Sequence, residues 1–127
     1  MKALTGKAGI FLTLIIIIMS NSAHGFNPCD DNTLEGSLRC LKLAKQGKHF
    51  AQISMARKYA SGLGEVNRNL LLAHRWAFIA KSKNPQDIAV GQFLSGLQKS
   101  YLSRAQVIES ERLAKICMAS NYKNCPE

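Results

Sequence analysis

Residues 62–85, from Gly62 to Pro85, read GLGEVNRNLLLAHRWAFIAKSKNP. Two glycines open the stretch, Asn69 precedes an apolar run, and Asn84-Pro85 closes it. Inside the run, Ala73, Ala77 and Ala80 recur at three- and four-residue steps around Trp76, the only tryptophan of the chain. That period marks a helix. Asn69 stands where a side-chain oxygen accepts an orphan amide of the first turn. Proline disfavours a helical residue before it, so Pro85 ends the element. The spacing therefore predicts a helix over 70–83 whose alanines let neighbouring helices approach, with Trp76 filling the space they leave. Gly62-Leu63-Gly64 lacks the preceding strand and the following Gly-Lys-Ser/Thr of a phosphate loop. It reads instead as a tight turn between antiparallel helices.

No segment alternates at period two, and four further helices are legible. One covers 34–46, capped by Asn32 or Thr33, with Leu34, Leu38 and Leu41 on its apolar face and Gly47 as its left-handed terminator. A second covers 50–60 on a stripe of Ala51, Met55, Ala56 and Tyr59. Another runs from Pro85 to about Lys99 with Asn84 as its cap, carrying Ile88, Phe93, Leu94 and Leu97. The last covers 104–119. Ser103 and Gln106 form its capping box, Leu102 and Val107 its staple, and Val107, Ile108, Ala114, Cys117 and Met118 its apolar positions. Shifting the tryptophan helix by 37 residues sets Ala73 on Ser110, Trp76 on Leu113, Ala77 on Ala114 and Ala80 on Cys117. Small residues fall on small and large on large, as in helical repeats.

The 127 residues suffice for one domain, and the first 25 are read as lying outside it. Lys2 and Lys7 are followed by the apolar Ile10–Met19, then by SNSAHG. This is the layout of a secretory signal peptide cleaved after Gly25. The apolar core is shorter than the roughly 20 residues of a membrane span. Residues 26–127 keep 15 Lys/Arg against 8 Asp/Glu, a net charge of +7, and hold all four cysteines. An even count in a small exported domain favours disulfides. Gaps of ten and seven residues do not match the close spacing of structural zinc sites. Pairing Cys29 with Cys40 and Cys117 with Cys125 would pin both ends of the domain. The expected organisation is a signal peptide over 1–25, an extension over 26–33, a helical domain over 34–119 and a tail over 120–127.

The run LAKQGKHFAQISMARKYASGLGEVNRNLLLAHRWAFIAK resembles the Sel-one-like repeat, a relative of the tetratricopeptide repeat. Ala44 and Gly47 fit the end of a preceding helix. Ala51, Gln52, Met55, Ala56 and Tyr59 fit the first helix of a repeat, and Gly62, Gly64 and Val66 its glycine loop. Asn69 takes the cap position, where aspartate is usual, and Ala73, Trp76 and Ala80 fit the second helix. Glu65 stands as an insertion between Gly64 and Val66, implying a bulged loop. The closing helix is loosely similar to those ending short members of the family, and the Cys117–Cys125 spacing is similar to that in secreted cysteine-rich members. The resemblance implies an all-α, α-α superhelix of antiparallel pairs, with one full repeat between atypical ends.

No residue pattern asks for catalysis, a cofactor or a metal. His49 and His74 read as link or solvated histidines, Asp30-Asp31 are adjacent, and Glu109 and Glu111 face different sides of a helix. The expected function is a non-catalytic, exported module that binds another protein or an anionic cell-envelope component, not nucleic acid. By resemblance the first helices of each pair line the binding face, which here implies exposed Gln52, Arg57 and Lys58. The alternatives are an envelope-acting enzyme or enzyme regulator, and an accessory subunit tethered to the membrane by a retained leader.

Overall fold

The computed structural model describes residues 26–126, so the leader expected over 1–25 lies outside the described residues. The described chain is all-helical: α1 (Leu34–Lys45), α2 (His49–Ser61), α3 (Leu70–Lys83), α4 (Ile88–Ser100) and α5 (Arg104–Ala119), with 3-10 turns at Pro28–Asp30 and Leu63–Glu65. Short connections force successive helices to run back along one another. α1 packs on α2, α2 on α3, and α3 on both α4 and α5, a pattern consistent with a helical superhelix.

α3 is covered from three sides, and its sequence shows why. Leu72, Ala73, His74, Arg75, Trp76, Ala77, Ile79 and Ala80 are all buried, which leaves it no polar face. Such a helix belongs in the middle of a structure. The three alanines bring the neighbouring backbones close around Trp76, and its truncation to alanine would cost about 3–5 kcal/mol. Asn69 Oδ1 accepts from the Leu72 amide at 3.0 Å and caps the helix as expected. The positions aligned by the 37-residue shift behave alike. Ser110, Ala114 and Cys117 are the buried residues of α5, as Ala73, Ala77 and Ala80 are buried in α3. The capping box of Ser103 and Gln106 is present in both directions.

The glycine loop reaches back to α1. Gly62 and Gly64 both have φ of +76°. A Cβ on Gly64 would lie 2.2 Å from Ser37 Oγ and 2.8 Å from Lys58 Nζ, so only glycine fits there. Ser37 donates to the Gly64 carbonyl at 2.6 Å. Glu65 has a left-handed φ of 58° and accepts from the Leu34 amide at 2.7 Å. This bond puts a carboxylate on the positive end of the α1 dipole.

Both cysteine pairs join as expected, Cys29 to Cys40 and Cys117 to Cys125. The first ties the N-terminal 3-10 turn onto α1, where the turn also touches α2. The second folds the tail back on α5. Closing loops this short removes denatured-state freedom worth about 2–3 kcal/mol each.

Three expectations need correction. In α1 the buried side is Gly36, Ser37, Cys40 and Ala44, whereas Leu34 and Leu38 are 46% and 56% exposed. The small residues face inward because the chain comes within contact there: Gly36 lies against Asp31, and Cys40 is bonded to Cys29. In α4 the cap is Asp87, not Asn84, and the helix starts at Ile88. The Asp87 carboxylate accepts from the Val90 amide at 3.1 Å, and residues 84–87 form a turn closed by the Asp87 amide on the Asn84 carbonyl. Ile88 and Ile108, expected among the apolar positions, are 73% and 59% exposed.

Candidate functional site

The residues expected to form the binding face do not stay together. Gln52 is fully buried and donates from Nε2 to the Ala44 carbonyl at 3.2 Å. Lys58 is also buried. Its ammonium donates to the Asp31 carbonyl at 3.2 Å and to Asn32 Oδ1 at 3.3 Å, holding the N-terminal extension against α2. Both are scaffold residues, since the long stems pack inward and the polar ends find main-chain acceptors. Only Arg57 remains exposed.

Arg57 borders a groove between α2 and α4. One hollow is lined by Ile53, Ala56 and Arg57 of α2, Val90 and Phe93 of α4, and Ala77 of α3. Phe93 is shared with a second hollow of about 380 Å³. There Leu70, Phe93 and Leu97 supply apolar surface, while Arg68, Gln92, Ser100 and Tyr101 stand at the rim. Gly96 lines it with nothing within 4 Å of where a Cβ would sit, which leaves room for another backbone. Arg68 is exposed, and its Nε donates to the Ala60 carbonyl at 3.0 Å. Neither Arg57 nor Arg68 has a carboxylate partner among the described residues, and no acid lines either hollow. Sequence reasoning reached Arg57 but missed Arg68, Phe93 and Tyr101. They belong to a loop and to another helix, and only the fold brings them together.

His74, read as link or solvated, is fully buried. Gln98 Nε2 donates to His74 Nε2 at 2.9 Å. The proton therefore sits on Nδ1, which donates to Ser110 Oγ at 2.8 Å, and Ser110 donates to the Leu71 carbonyl at 3.3 Å. Burial, and secondarily the charge of Arg75, lowers the His74 pKa to about 4. The ring is neutral at pH 7 and ties α3 to α4 and α5. The polarity is wrong for nucleophile activation: the histidine donates to the serine instead of accepting its proton. Ser110 also borders a hollow of about 290 Å³ between α3 and α5, with Leu71, Leu113, Arg75 and Glu109. Its acid is committed, since Arg112 donates two hydrogen bonds to Glu109 and lowers its pKa. His49 lies 3.5 Å from Asp87 and joins the start of α2 to that of α4. All four cysteines are spent in disulfides. Among the described residues no cluster of histidine, cysteine and carboxylate could hold a metal, and no helix is long and apolar enough to cross a membrane.

No protein-family model matches the chain, and neither a curated protein nor a solved structure matches it.

Proposed function

We propose that this chain is an exported, non-catalytic helical-repeat module of the Sel-one-like kind that binds a partner in the α2–α4 groove. The observation that carries this reading is the groove itself. It has an apolar floor, two guanidinium groups without a carboxylate, and no lining acid. Such a site suits an apolar segment that brings its own carboxylates, because arginine pairs them bidentately. The occupant is then a stretch of another protein or an anionic envelope component. Export is supported by the leader-like sequence over 1–25 and by two disulfides, which persist in oxidising compartments. The family reading is supported by the left-handed Gly47, Gly62 and Gly64, by the Asn69 cap, and by the burial of Ala51, Tyr59, Ala73, Trp76 and Ala80.

The test is site-specific crosslinking in the producing cell. A photoreactive residue at Gln92, on the groove rim, should yield a discrete adduct. The same residue at Leu38, on the outer face of α1, should not. Combining the Gln92 probe with Arg57→Glu and Arg68→Glu should abolish the adduct. An adduct that survives both charge reversals, or that forms equally from Leu38, would rule out this groove.

A further inference from the structure

Six of the nine lysines of residues 26–127 converge on one end of the molecule, away from Arg57 and Arg68. At this end α1 and α3 finish, α2 and α4 begin, and the tail leaves α5. The contacts join these segments. Lys83 Nζ donates to the Gly47 carbonyl at 2.6 Å and lies 5.5 Å from the Tyr122 ring centroid. His49 pairs with Asp87, and Lys81 donates to the Pro85 and Asp87 carbonyls. Lys42, Lys45, Lys48, Lys81, Lys83 and Lys123 therefore share one end, with no arginine among them. Asp87 is the only carboxylate placed there among the described residues, and His49 and the Val90 amide engage it.

Helix dipoles account for part of this arrangement. Lys42 and Lys45 lie in the last turn of α1, and Lys81 and Lys83 in that of α3, where a cation is favoured. They do not account for Lys48. Thr33, Asn69, Asp87 and Ser103 each cap their helix with a side-chain oxygen. α2 alone starts without such a bond, on a lysine whose charge opposes the dipole. A local rule broken at an exposed position, with no compensating contact, marks selection for something else.

Two large apolar side chains stand on the same end. Phe50, second in α2, is 47% exposed, and Ile88, first in α4, is 73% exposed. Helical Cβ atoms lean toward the N-terminus, so both point off this end. Lysine is depleted at protein–protein interfaces, and an aliphatic tip has no use on a nucleic-acid backbone. Ammonium groups around protruding apolar tips match the boundary of an anionic bilayer, with the tips entering the acyl edge.

We propose that this lysine end docks the protein on the surface of an anionic lipid bilayer, with Phe50 and Ile88 entering its interface. The docking is independent of the groove between α2 and α4, which stays free for its partner.

The test is sedimentation of residues 26–127, which hold all five helices, both disulfides and the whole described core, with vesicles. Binding to vesicles of 70% phosphatidylcholine and 30% phosphatidylglycerol is expected at 50 mM salt. It should vanish at 500 mM salt and on pure phosphatidylcholine. Replacing Lys42, Lys48 and Lys123 together by glutamine should weaken it about 100-fold, roughly fivefold per lysine. All three are exposed, so circular dichroism should show an unchanged fold. Phe50→Ser with Ile88→Ser should weaken it about tenfold more. Arg57→Gln with Arg68→Gln should leave it unchanged. Equal loss in the arginine variant would reduce the effect to net charge and overturn the proposal. So would binding to soluble duplex DNA that matches vesicle binding and ignores Phe50 and Ile88, or no binding to the anionic vesicles at 50 mM salt.

Discussion

Acid should weaken this protein before its carboxylates protonate, and His74 should be the cause. An unfolded histidine titrates near 6.5, whereas the buried ring titrates near 4. Between those values the unfolded chain takes up a proton that the folded chain refuses. Stability is therefore fully present above about pH 6.5 and falls as the pH drops toward 4. Integrating the two titrations from pH 7 to pH 5 gives a loss of about 2 kcal/mol. Asp31, Asp87 and Glu109 do not interfere in this range. Their pKa values are lowered, by the Thr33 amide, the Val90 amide and Arg112 respectively, so they stay ionised at pH 5. The assay is urea unfolding of the oxidised protein at both pH values, followed by far-UV circular dichroism. His74→Gln is the control, because glutamine does not titrate. The variant should lose about 1–2 kcal/mol at pH 7, from the broken bonds to Ser110 and Gln98. Its further loss on going to pH 5 should be about 2 kcal/mol smaller than that of the parent. Identical pH dependence in the two proteins would refute the reasoning.

The two loop glycines should separate cleanly. Gly62→Ala pays only for a left-handed residue, its added Cβ in ordinary contact with Arg68 and Val66, about 1 kcal/mol, whereas Gly64→Ala adds the clash with Ser37 and Lys58 and should cost about 2–4 kcal/mol, read from urea midpoints. Replacing Cys117 and Cys125 together by alanine should lower stability by about 2–3 kcal/mol and release the tail, detectable as faster amide exchange of residues 120–126 with little change around Trp76.

α3 was legible in the sequence because every signal agrees there. A cap, a stop, small residues at helical spacing and one large aromatic leave few alternatives. The disulfide pairing followed from proximity and from the need to hold two ends. α1 misled because leucines at helical spacing outrank a glycine, a serine, a cysteine and an alanine on any hydrophobic scale. The packed side was decided instead by how closely the N-terminal extension approaches. Gln52 and Lys58 misled in the same way: both are polar by type, but their buried ends bond main-chain carbonyls that only the folded chain supplies. The Asp87 cap was overshadowed by Asn84-Pro85, which looks like a helix start but forms the turn before it. The groove and the lysine end are products of topology. Each gathers residues from several helices and loops, and no spacing within one segment announces them.

The proposal that the groove between α2 and α4 binds the partner is open to direct measurement. Its most direct measurement is the calorimetric affinity between the domain and the partner segment recovered by crosslinking at Gln92, compared with Arg57→Glu, Arg68→Glu. Losing two charge-assisted contacts predicts roughly 2–3 kcal/mol, an affinity lower by about 30- to 150-fold, while the urea midpoint falls by no more than the lost Arg68–Ala60 bond, about 1 kcal/mol. Equal affinity in the parent and the double variant would contradict the account.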